Sequence, residues 1–360
     1  MKLLQGNTNR NYDIIITDTF EHLSQCIAKV HSPSSILVIT DENVAKHYLE
    51  SVCEILAEVA PVDSHIIVPG EQYKNSNTVT EIYNTCIERK LDRSGMIVAL
   101  GGGVVGDIAG FVASSYMRGV PFIQIPTTIV AQNDSSIGGK VGIDYLSHKN
   151  MIGAFYNPIL VYINTKTLST LPQRELIGGL SEVIKHGLIK DHNLFEFLHS
   201  HKDSIFTLNQ DTLHELTYMS CNVKAEVVSL DLKESGLRKI LNFGHTIGHA
   251  IETLSDFSIS HGEAVAYGSA MASYISYKRG YLTQEALNGI IDMFKRYELL
   301  KPIENFASVD VLKQMSFDKK KSYSKVSFIL LEEIGKAIIV RDIEEKEIED
   351  ALVFAVEICH

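Results

Sequence analysis

Cysteine is scarce in this chain of 360 residues, and no two cysteines form a Cys-x-x-Cys pair. The five cysteines are scattered along the sequence at positions 26, 53, 86, 221 and 359. An odd, scattered set is typical of reduced thiols that mostly fill a core, rather than of a disulfide framework. These thiols therefore indicate a protein of the cytosol.

Long apolar runs are also missing from the sequence. No stretch reaches the roughly 18 apolar residues that a helix needs to cross a bilayer. The first residues lack the basic start and the apolar core of a signal peptide. We therefore expect a cytoplasmic protein that does not enter a membrane.

Positive charge is in short supply as well. Lysine and arginine number 33 against 44 acidic residues, which gives a formal net charge of -11. This balance argues against a nucleic-acid-binding surface. It still permits an anionic metabolite as a ligand, provided that the cations gather locally.

The length and the remaining composition indicate a soluble enzyme with two domains. A chain of 360 residues exceeds one ordinary domain. Its hydrophobic share of 45% and charged share of 21% are ordinary for a soluble globular enzyme. The sequence shows no internal repeat and no low-complexity segment.

Short β-branched runs alternate with helical patterns over the first 165 residues. The predicted strands are Tyr12 to Ile16, Ser35 to Thr40, His65 to Val68, Met96 to Leu100, Phe122 to Ile125 and Leu160 to Ile163. The predicted helices are Thr19 to Val30, Val44 to Ala57, Ser76 to Lys90 and Asp107 to Ala113. Such alternation predicts a parallel sheet with helices on its faces, as in a Rossmann-like α/β domain.

The pattern changes after Thr165. Long stretches then carry helical periodicity, and the strand signals that remain are Val326 to Leu331 and Ala337 to Val340. We therefore predict an α/β domain over 1–165, and a mostly α-helical domain with a short hairpin near its end over 166–360.

Two histidines four residues apart are the most informative feature of the sequence. His245 and His249 lie in a stretch without proline, and His261 follows sixteen residues after the first. On a helix, a spacing of four places both imidazoles on one face. Neutral imidazole is a favoured ligand of divalent metals such as zinc. Alternatively, one or both rings simply pack in a helical core.

A glycine-rich loop follows the predicted strand that ends at Leu100. The run from Gly101 to Asp107 matches the G-x-G-x-x-G pattern between a strand and a helix. Glycines let the backbone approach a pyrophosphate, and helix N-terminal amides favour its charge. The alternative is a glycine-rich turn without a ligand. Since no acidic residue ends the next strand, Asp41 and Asn43 are the candidates for the ribose contact, unless they only cap a helix.

Polar residues continue after the glycine loop. Thr127 and Thr128 follow a strand end, where they suit either a plain loop or contacts to a dinucleotide. A Gly-Gly-Lys sequence then ends at Lys140, and Lys149 and Asn150 come after it. A lysine in such a loop can present its charge to phosphate or carboxylate, although a single one is more often solvated.

Five segments in one order resemble the 3-dehydroquinate synthase family. They are the glycine loop, Thr127-Thr128, Asp134 to Lys140, Gly179 to Lys185, and Asn242 to Glu252. The resemblance runs from Ile36 to Leu331, and the combined signal is specific although each motif alone is not.

The resemblance implies an NAD-dependent and metal-dependent activity, with zinc or cobalt as the metal. Members of the family convert 3-deoxy-D-arabino-heptulosonate 7-phosphate to 3-dehydroquinate and phosphate in the shikimate pathway. The substrate is a small anionic sugar phosphate, and a homodimer is implied. Nucleic acid and membrane partners are not expected.

The resemblance also changes the expected metal ligands. Spacing alone pairs His245 with His249, whereas the family pattern implies Glu182, His245 and His261. One carboxylate and two imidazoles leave coordination positions open for substrate, as a catalytic metal requires. Glu182 also stands three residues before Lys185, so a surface ion pair on a helix is the plain alternative.

Several charged and amide side chains match the family's positions for catalysis or for holding substrate or cofactor. They are Asp134, Lys140, Lys149, Asn150, Lys185, Lys224, Arg238, Asn242 and His249. Arg118 matches a phosphate-binding arginine that a neighbouring subunit can supply. Within Lys319-Lys320-Lys321 the resemblance favours Lys320, and the alternative is a solvated charge run. Singly, each of these cations would more often be a solvated surface charge.

Two further segments match family positions that contact the cofactor. The resemblance implies NAD contacts from the glycine loop, from the hydroxyls after it and from these two segments. The residues are Gly70, Glu71, Gln72, Tyr73, Lys74, Gly102, Gly103, Val104, Val105, Gly106, Asp107, Thr127, Thr128, Lys140, Lys149, Thr167, Leu168, Ser169 and Thr170. Small departures at Asn133, Ser181 and Glu226 remove no group with an implied chemical role.

Three other functions compete with this prediction. Another sugar phosphate cyclase would use similar chemistry, but such relatives replace residues that contact the carboxylate. Lys224, Arg238, Asn242 and His249 are all present here. A metal-dependent alcohol or glycerol dehydrogenase would accumulate NADH with a simple polyol. A non-catalytic protein with this fold would bind NAD and metal without releasing phosphate.

Overall fold

The computed structural model describes residues 1–6, 11–146, 148–256, 258–302, 306–317 and 327–359. The chain folds into two compact units. The first comprises Met1–Pro172 and Thr207–Lys233, and the second comprises Gln173–Phe206 and Glu234–His360. The expectation of domains at 1–165 and 166–360 stays a prediction.

The first unit is built on a seven-stranded sheet. Its strands are β1 (Lys2–Gly6), β2 (Tyr12–Thr17), β3 (Ile36–Asp41), β4 (Val62–Ile67), β5 (Met96–Gly101), β6 (Phe122–Pro126) and β9 (Leu160–Asn164), in the order β1-β2-β9-β6-β5-β3-β4. All neighbouring pairs are parallel except β1 with β2. The predicted parallel sheet is therefore confirmed, and β1 is an antiparallel edge strand that the sequence did not reveal.

Helices of the first unit follow the strands in the predicted alternation. They are α1 (Leu23–Val30), α2 (Glu42–Ala57), α3 (Ser76–Glu88), α4 (Gly103–Ser115) and, later in the chain, α7 (Gln210–Leu230). A hairpin of β7 (Lys140–Tyr145) and β8 (His148–Phe155) forms a separate small sheet. Short helical turns lie at Glu71–Tyr73, Tyr116–Arg118, Ala131–Ser135 and Thr165–Thr170.

The strands of this sheet are apolar because both of its faces are covered. Ile36 and Val38 pack into one core cluster, whereas Leu37 and Ile39 pack into another. Successive residues of a strand point to opposite faces, so an unbroken apolar run is what a doubly covered parallel strand needs. β5 is buried at every residue and runs directly into the glycine loop.

The second unit is mostly helical, as predicted. Its elements are α5 (Gln173–Ile189), α6 (His192–Phe206), α8 (His245–Leu254), α9 (His261–Lys278), α10 (Gln284–Arg296), α11 (Ser308–Phe317), β10 (Phe328–Glu333), β11 (Lys336–Val340) and α12 (Glu345–Glu357), with a short turn at Leu237–Asn242. β10 and β11 form the expected antiparallel hairpin. Most residues of α9 are buried, so this helix runs through the core of the unit.

Among the helices that the structure describes, none combines the length and the apolar character that crossing a membrane would require.

Candidate functional site

Three helices of the second unit bring one carboxylate and two imidazoles together. Glu182 lies within α5, His245 is the first residue of α8, and His261 is the first residue of α9. One ligand-type atom from each lies within 4.8 Å of the other two. The structure thus places close together the three residues that the family resemblance had selected, although they are far apart in sequence.

Close backbone packing explains how these helices approach one another. A Cβ on Gly262 of α9 would lie 2.0 Å from the carbonyl oxygen of Gly178 on α5. A Cβ on Gly268 would lie 1.9 Å from the carbonyl oxygen of Gly244. Gly244 itself has φ +77, a left-handed conformation that favours glycine, and it immediately precedes His245. The glycines therefore set the separations at which Glu182 and the two histidines meet.

A capping box determines where α9 begins. The Ser260 side chain accepts a hydrogen bond from the Glu263 backbone, and the Glu263 side chain accepts one from the Ser260 backbone. Such reciprocal bonds satisfy N-terminal amides that would otherwise lack partners. Lys301 Nζ lies 2.7 Å from Glu263 Oε1 and adds charge complementarity to the same carboxylate. His261 is consequently held at the first turn of the helix.

Glu182 is the centre of the cluster. Its Oε1 lies 3.4 Å from Nε2 of His245 and 3.3 Å from Nε2 of His261. The carboxylate is almost fully buried and also pairs with Lys185, so the predicted i,i+3 ion pair exists but lies in the interior rather than at the surface. Burial by itself raises the pKa of Glu182, but Lys185 and the two histidines hold that pKa well below the usual carboxyl range. The carboxylate is therefore charged at neutral pH and suited to bind a cation.

The opposite ring nitrogens of both histidines also have partners. His245 Nδ1 lies 3.1 Å from the carbonyl oxygen of Phe243, and His261 Nδ1 lies 3.4 Å from Glu252 Oε2. Burial lowers the pKa of His261, but hydrogen bonds to Glu182 and Glu252 together raise it to about 9. Both rings thus direct Nε2 towards Glu182, as the histidines of a metal site do towards a shared ion.

His249 lies beside the same cluster. Its ring centroid is 5.2 Å from that of His245 and 5.8 Å from that of His261. Within the described residues, His249, Glu252 and His261 form a second group whose ligand atoms lie within 4.8 Å of one another. The His245–His249 pair suggested by spacing is therefore near the site, and His249 is exposed at its edge.

Other predicted residues of the second unit occupy contrasting surroundings. Lys185 and Arg238 are buried, at 1% and 2% exposure. Asn242 is exposed, and its Nδ2 donates to Glu234 Oε1. The two buried cations, one within α5 and one in the turn before α8, supply positive charge in a chain whose net charge is -11.

In the first unit, the glycine loop begins α4 as predicted. Gly102 is the N-cap residue of this helix, and because it has no side chain it cannot cap the first backbone amides. A Cβ on Gly102 would lie 3.0 Å from Thr128 Cγ2, and one on Gly103 would lie 3.2 Å from Ser135 Oγ. Val104, Val105, Gly106 and Asp107 form the next residues of the helix. The helix N-terminus therefore presents uncapped amides beside the hydroxyl-bearing segment that contains Thr127 and Thr128, a chemical setting that fits a pyrophosphate.

Lys74 links the loop at Gly70 to this helix. Its Nζ lies 2.7 Å from Asp107 Oδ2 and also donates to Asn150 Oδ1. The lysine is 4% exposed. It directly follows the short turn formed by Glu71, Gln72 and Tyr73. The backbone of Asn150 in turn donates to Asp144 in the β7–β8 hairpin. Three segments that are separate in the sequence therefore form one polar cluster.

A second polar cluster surrounds the turn at Ala131–Ser135. Lys224 Nζ lies 2.6 Å from Asp134 Oδ1, which joins α7 to this turn. The buried Gln132 donates through Nε2 to the carbonyl oxygen of Asn164 and to Thr167 Oγ1. Gln132 was not predicted, because nothing in its local pattern separates it from an ordinary loop glutamine.

The remaining cofactor candidates lie where two strands end. Asp41 and Asn43 lie at and just after the end of β3, and residues 167–170 follow β9. Thr170 Oγ1 lies 2.6 Å from the hydroxyl oxygen of Tyr48, in the short helix that also holds Thr167, Leu168 and Ser169. Asp41 accepts hydrogen bonds from the backbones of Asn43 and Val44, so it does cap α2. Asp41 therefore has the alternative role of a helix cap, and its contact with a ribose stays a prediction.

The other predicted cations differ in position. Lys140, Lys149 and Arg118 are exposed on the first unit. Arg118 has φ +68 in the turn at Tyr116–Arg118. Lys320 lies outside the described residues.

Comparisons with known proteins extend these observations. Residues 64–178 match a family model described as 3-dehydroquinate synthase N-terminal, and residues 179–321 match one described as 3-dehydroquinate synthase C-terminal. A 3-dehydroquinate synthase of Ruminiclostridium cellulolyticum is 43% identical over 328 residues, which cover 91% of this chain and 91% of the relative.

Two solved structures have the same fold over nearly their whole length. A 2-epi-5-epi-valiolone synthase from Streptomyces hygroscopicus subsp. jinggangensis, with NAD+ and Zn2+ bound, is 28% identical with a TM-score of 0.88, over 97% of this chain and 98% of that one. A 2-deoxy-scyllo-inosose synthase complexed with carbaglucose-6-phosphate, NAD+ and Co2+ is 26% identical with a TM-score of 0.83, over 98% and 99%. The family models and the identity over most of its length show that the chain belongs to the 3-dehydroquinate synthase family.

Proposed function

We propose that this protein is a 3-dehydroquinate synthase, which converts 3-deoxy-D-arabino-heptulosonate 7-phosphate to 3-dehydroquinate and phosphate. The observation that carries the proposal is the meeting of Glu182, His245 and His261 in a member of this family. A carboxylate with two imidazoles suits a catalytic zinc or cobalt ion and leaves coordination positions for substrate oxygens.

We assign metal and substrate binding mainly to residues 166–360 and NAD binding mainly to residues 1–165. In this assignment Glu182, His245 and His261 hold the metal. The cofactor residues are those of the glycine loop, the Gly70–Lys74 loop, Asp41, Asn43, Thr127, Thr128 and the 167–170 segment. When bound, the metal would lower the pKa of a substrate hydroxyl, and NAD would take up and later return one hydride.

The residues of the chain position and neutralise the reactants. The uncapped amides at the start of α4 favour the pyrophosphate charge, while Lys74 holds Asp107 in place beside them. Lys185, Lys224, Arg238, Asn242 and His249 would bind the phosphate and carboxylate of the substrate. Lys140, Lys149, Asn150 and Asp134 would complete the contacts to substrate and cofactor, and Lys320 is a further candidate.

The overall reaction is redox-neutral. The substrate carbon that bears the C5 hydroxyl would give up a hydride to NAD, and the hydroxyl would give up its proton. The resulting ketone acidifies the neighbouring C6 proton. Loss of the C6 proton, which the departing phosphate can accept, would eliminate phosphate, and the returned hydride would restore the C5 hydroxyl. Ring opening and an internal aldol addition close the carbocycle. His249, which is exposed at the edge of the cluster, would exchange a proton with a substrate oxygen.

We also propose that the protein is a homodimer formed through the β7–β8 hairpin. Met151 is 61% exposed and Phe155 is 51% exposed on β8, which pairs only with β7 within the described ranges. An exposed apolar edge strand normally gains a partner or causes aggregation. Tyr156 donates to the carbonyl oxygen of Val120, so the hairpin ends near the Arg118 turn. A second copy covering this surface would bring Arg118 to the partner's substrate.

A phosphate-release assay tests the activity. Purified protein with the heptulosonate phosphate, metal and catalytic NAD should release phosphate without net NADH. Omitting NAD or chelating the metal should stop release. Binding of both cofactors without phosphate release would contradict the proposal, and so would net NADH formation from a simple polyol.

Another sugar phosphate cyclase is the second candidate, favoured by the likeness to the two solved cyclases. The presence of Lys224, Arg238, Asn242 and His249 supports an acidic substrate instead. A substrate panel separates the two: preferred turnover of glucose 6-phosphate or sedoheptulose 7-phosphate would favour the second candidate.

A further inference from the structure

His261 lies between two carboxylates from different helices. Its Nε2 is 3.3 Å from Glu182 Oε1, and its Nδ1 is 3.4 Å from Glu252 Oε2. Glu252 lies on α8, seven residues after His245, and its side chain is 7% exposed. Its burial beside the imidazole is the unusual feature, because a carboxylate is rarely buried without a specific partner.

We propose that Glu252 is the positioning residue of the metal site, accepting a hydrogen bond from Nδ1–H of His261. This inference rests on the proposed metal site of Glu182, His245 and His261. With the proton held on Nδ1, the Nε2 atom that faces Glu182 would be the nitrogen left free to bind a metal ion. A carboxylate that accepts from the far side of an imidazole fixes its tautomer and orientation, and makes its other nitrogen a stronger ligand.

His245 is oriented by a backbone acceptor rather than by a carboxylate. The effect of Glu252 on His261 can therefore be tested without disturbing His245. His245 directs Nδ1 towards the carbonyl oxygen of Phe243, at 3.1 Å. That backbone acceptor survives any side-chain substitution. The His261 acceptor is a side chain, so a single substitution can remove its charge while Glu182, His245 and His261 all remain.

A second metal ion is the competing explanation for the same residues. His249, Glu252 and His261 also form a group with metal-ligating atoms within 4.8 Å of one another. Occupying both groups would require His261 to bind one ion through each nitrogen, and therefore to lose both ring protons. It would also place one dication on each side of the same ring, where the two ions would repel each other. A hydrogen bond from Nδ1–H to Glu252 needs neither, so the positioning role is the simpler use of the geometry.

The test compares Glu252→Gln with a matched control. Glutamine keeps the shape of the side chain and an acceptor oxygen but removes the charge. Asp256→Asn removes one negative charge from an exposed site just beyond α8, where φ is +50 and asparagine is well tolerated. Metal affinity is measured by competition with a chelating dye, stoichiometry by metal analysis, and ligand geometry by the absorption spectrum of bound Co2+.

We expect one ion per chain in the wild type and in both variants. Glu252→Gln should weaken metal binding by about 10- to 100-fold and alter the Co2+ spectrum, whereas Asp256→Asn should match the wild type. Circular dichroism of the metal-free proteins should be unchanged. Glu252→Asp should recover part of the affinity, because the charge returns at a longer distance.

The possible results separate this inference from the proposed function. Wild-type affinity in Glu252→Gln, with one bound ion that Glu182→Gln removes, would overturn the positioning role and leave the metal site intact. Two ions in the wild type, one of them lost in Glu252→Gln, would also overturn it. No metal binding by the wild type would overturn both proposals.

Discussion

At the scale of single residues, the Glu182–Lys185 ion pair is buried within the cluster that we propose as the metal site. Both side chains are 2% exposed. A buried carboxylate that loses its cation is costly, because it remains desolvated without compensation. In the metal-free protein, Lys185 therefore compensates the buried charge of Glu182. A bound dication would compensate part of the same charge.

We predict that Lys185→Met lowers the free energy of unfolding of the metal-free protein by about 3 kcal/mol, since it leaves the Glu182 carboxylate without its lysine partner. Saturating zinc should restore much of this loss, because the metal supplies the missing positive charge. Urea unfolding with and without metal measures both effects. A loss that is the same size with and without zinc would contradict this prediction.

Only part of the site could be predicted at this scale. Spacing along one helix identifies His245 and His249, because helix geometry relates residues four apart. Glu182 precedes them by more than sixty residues, so only family resemblance could select it. Glu252 shares a helix face with His245, but its contact with His261 depends on how α8 packs against α9. Local sequence carries no signal for that packing.

At the scale of elements, the separation of α5 and α9 depends on glycine. A methyl group on Gly262 would lie 2.0 Å from the backbone of Gly178, so the helices would have to move apart. Gly289 on α10 provides a control, because a Cβ there would meet nothing within 4 Å.

We predict that Gly262→Ala destabilises the protein by about 2–3 kcal/mol, as overpacking does. It should also weaken metal binding, because Glu182 and His261 lie on the two helices that are forced apart. Gly289→Ala should instead stabilise the protein by about 0.5–1 kcal/mol, since alanine is the better helix former. Thermal unfolding and dye competition provide the measurements, and an unchanged metal affinity in Gly262→Ala would refute the proposed role of the glycines.

The start of α12 provides a pH-dependent test. Arg279 at the end of α9 donates to Glu347 through Nε at 2.6 Å and through Nη2 at 2.7 Å. These hydrogen bonds lower the pKa of Glu347. A lowered folded-state pKa contributes stability that is complete above the unfolded value near 4.3, and that is lost as the pH falls through the folded value.

We therefore predict that Glu347→Gln costs about 1–2 kcal/mol at pH 7 and progressively less below about pH 4. Glu349→Gln is the control, since its partner Lys346 lies 3.7 Å away and both side chains are exposed. Denaturant unfolding at pH 7 and pH 3.5 measures the difference. A cost for Glu347→Gln that stays constant with pH would show that the ion pair is not its cause.

Elements were predictable where burial imposes a simple pattern. β5 is predictable because a strand covered on both faces is apolar at every position. The β7–β8 hairpin was missed because β8 is exposed along most of its length, so no alternation of apolar and polar residues marks it. β1 was missed for a related reason: as an edge strand its residues are mostly half-exposed or exposed.

At the scale of the whole molecule, the exposed hairpin predicts assembly. Leu146 is 85% exposed at its tip, beside the apolar residues of β8. A second copy is the partner that would cover this surface in the proposed dimer.

We predict that Met151→Asp shifts the protein from dimer to monomer, because a charge would be buried in the apolar interface. Val353→Asp is the control: Val353 is 59% exposed on α12, away from the hairpin in the sequence. Analytical ultracentrifugation reports the mass. A wild-type monomer, or a dimer that persists in Met151→Asp, would contradict the proposed interface.

Anomalous diffraction at the zinc edge would reveal whether Glu182, His245 and His261 bind one metal ion. We predict a single peak in crystals grown with zinc, about 2.0–2.2 Å from a Glu182 oxygen and from Nε2 of each histidine. A peak bound by His249 and Glu252 instead, or no peak at Glu182, would contradict it.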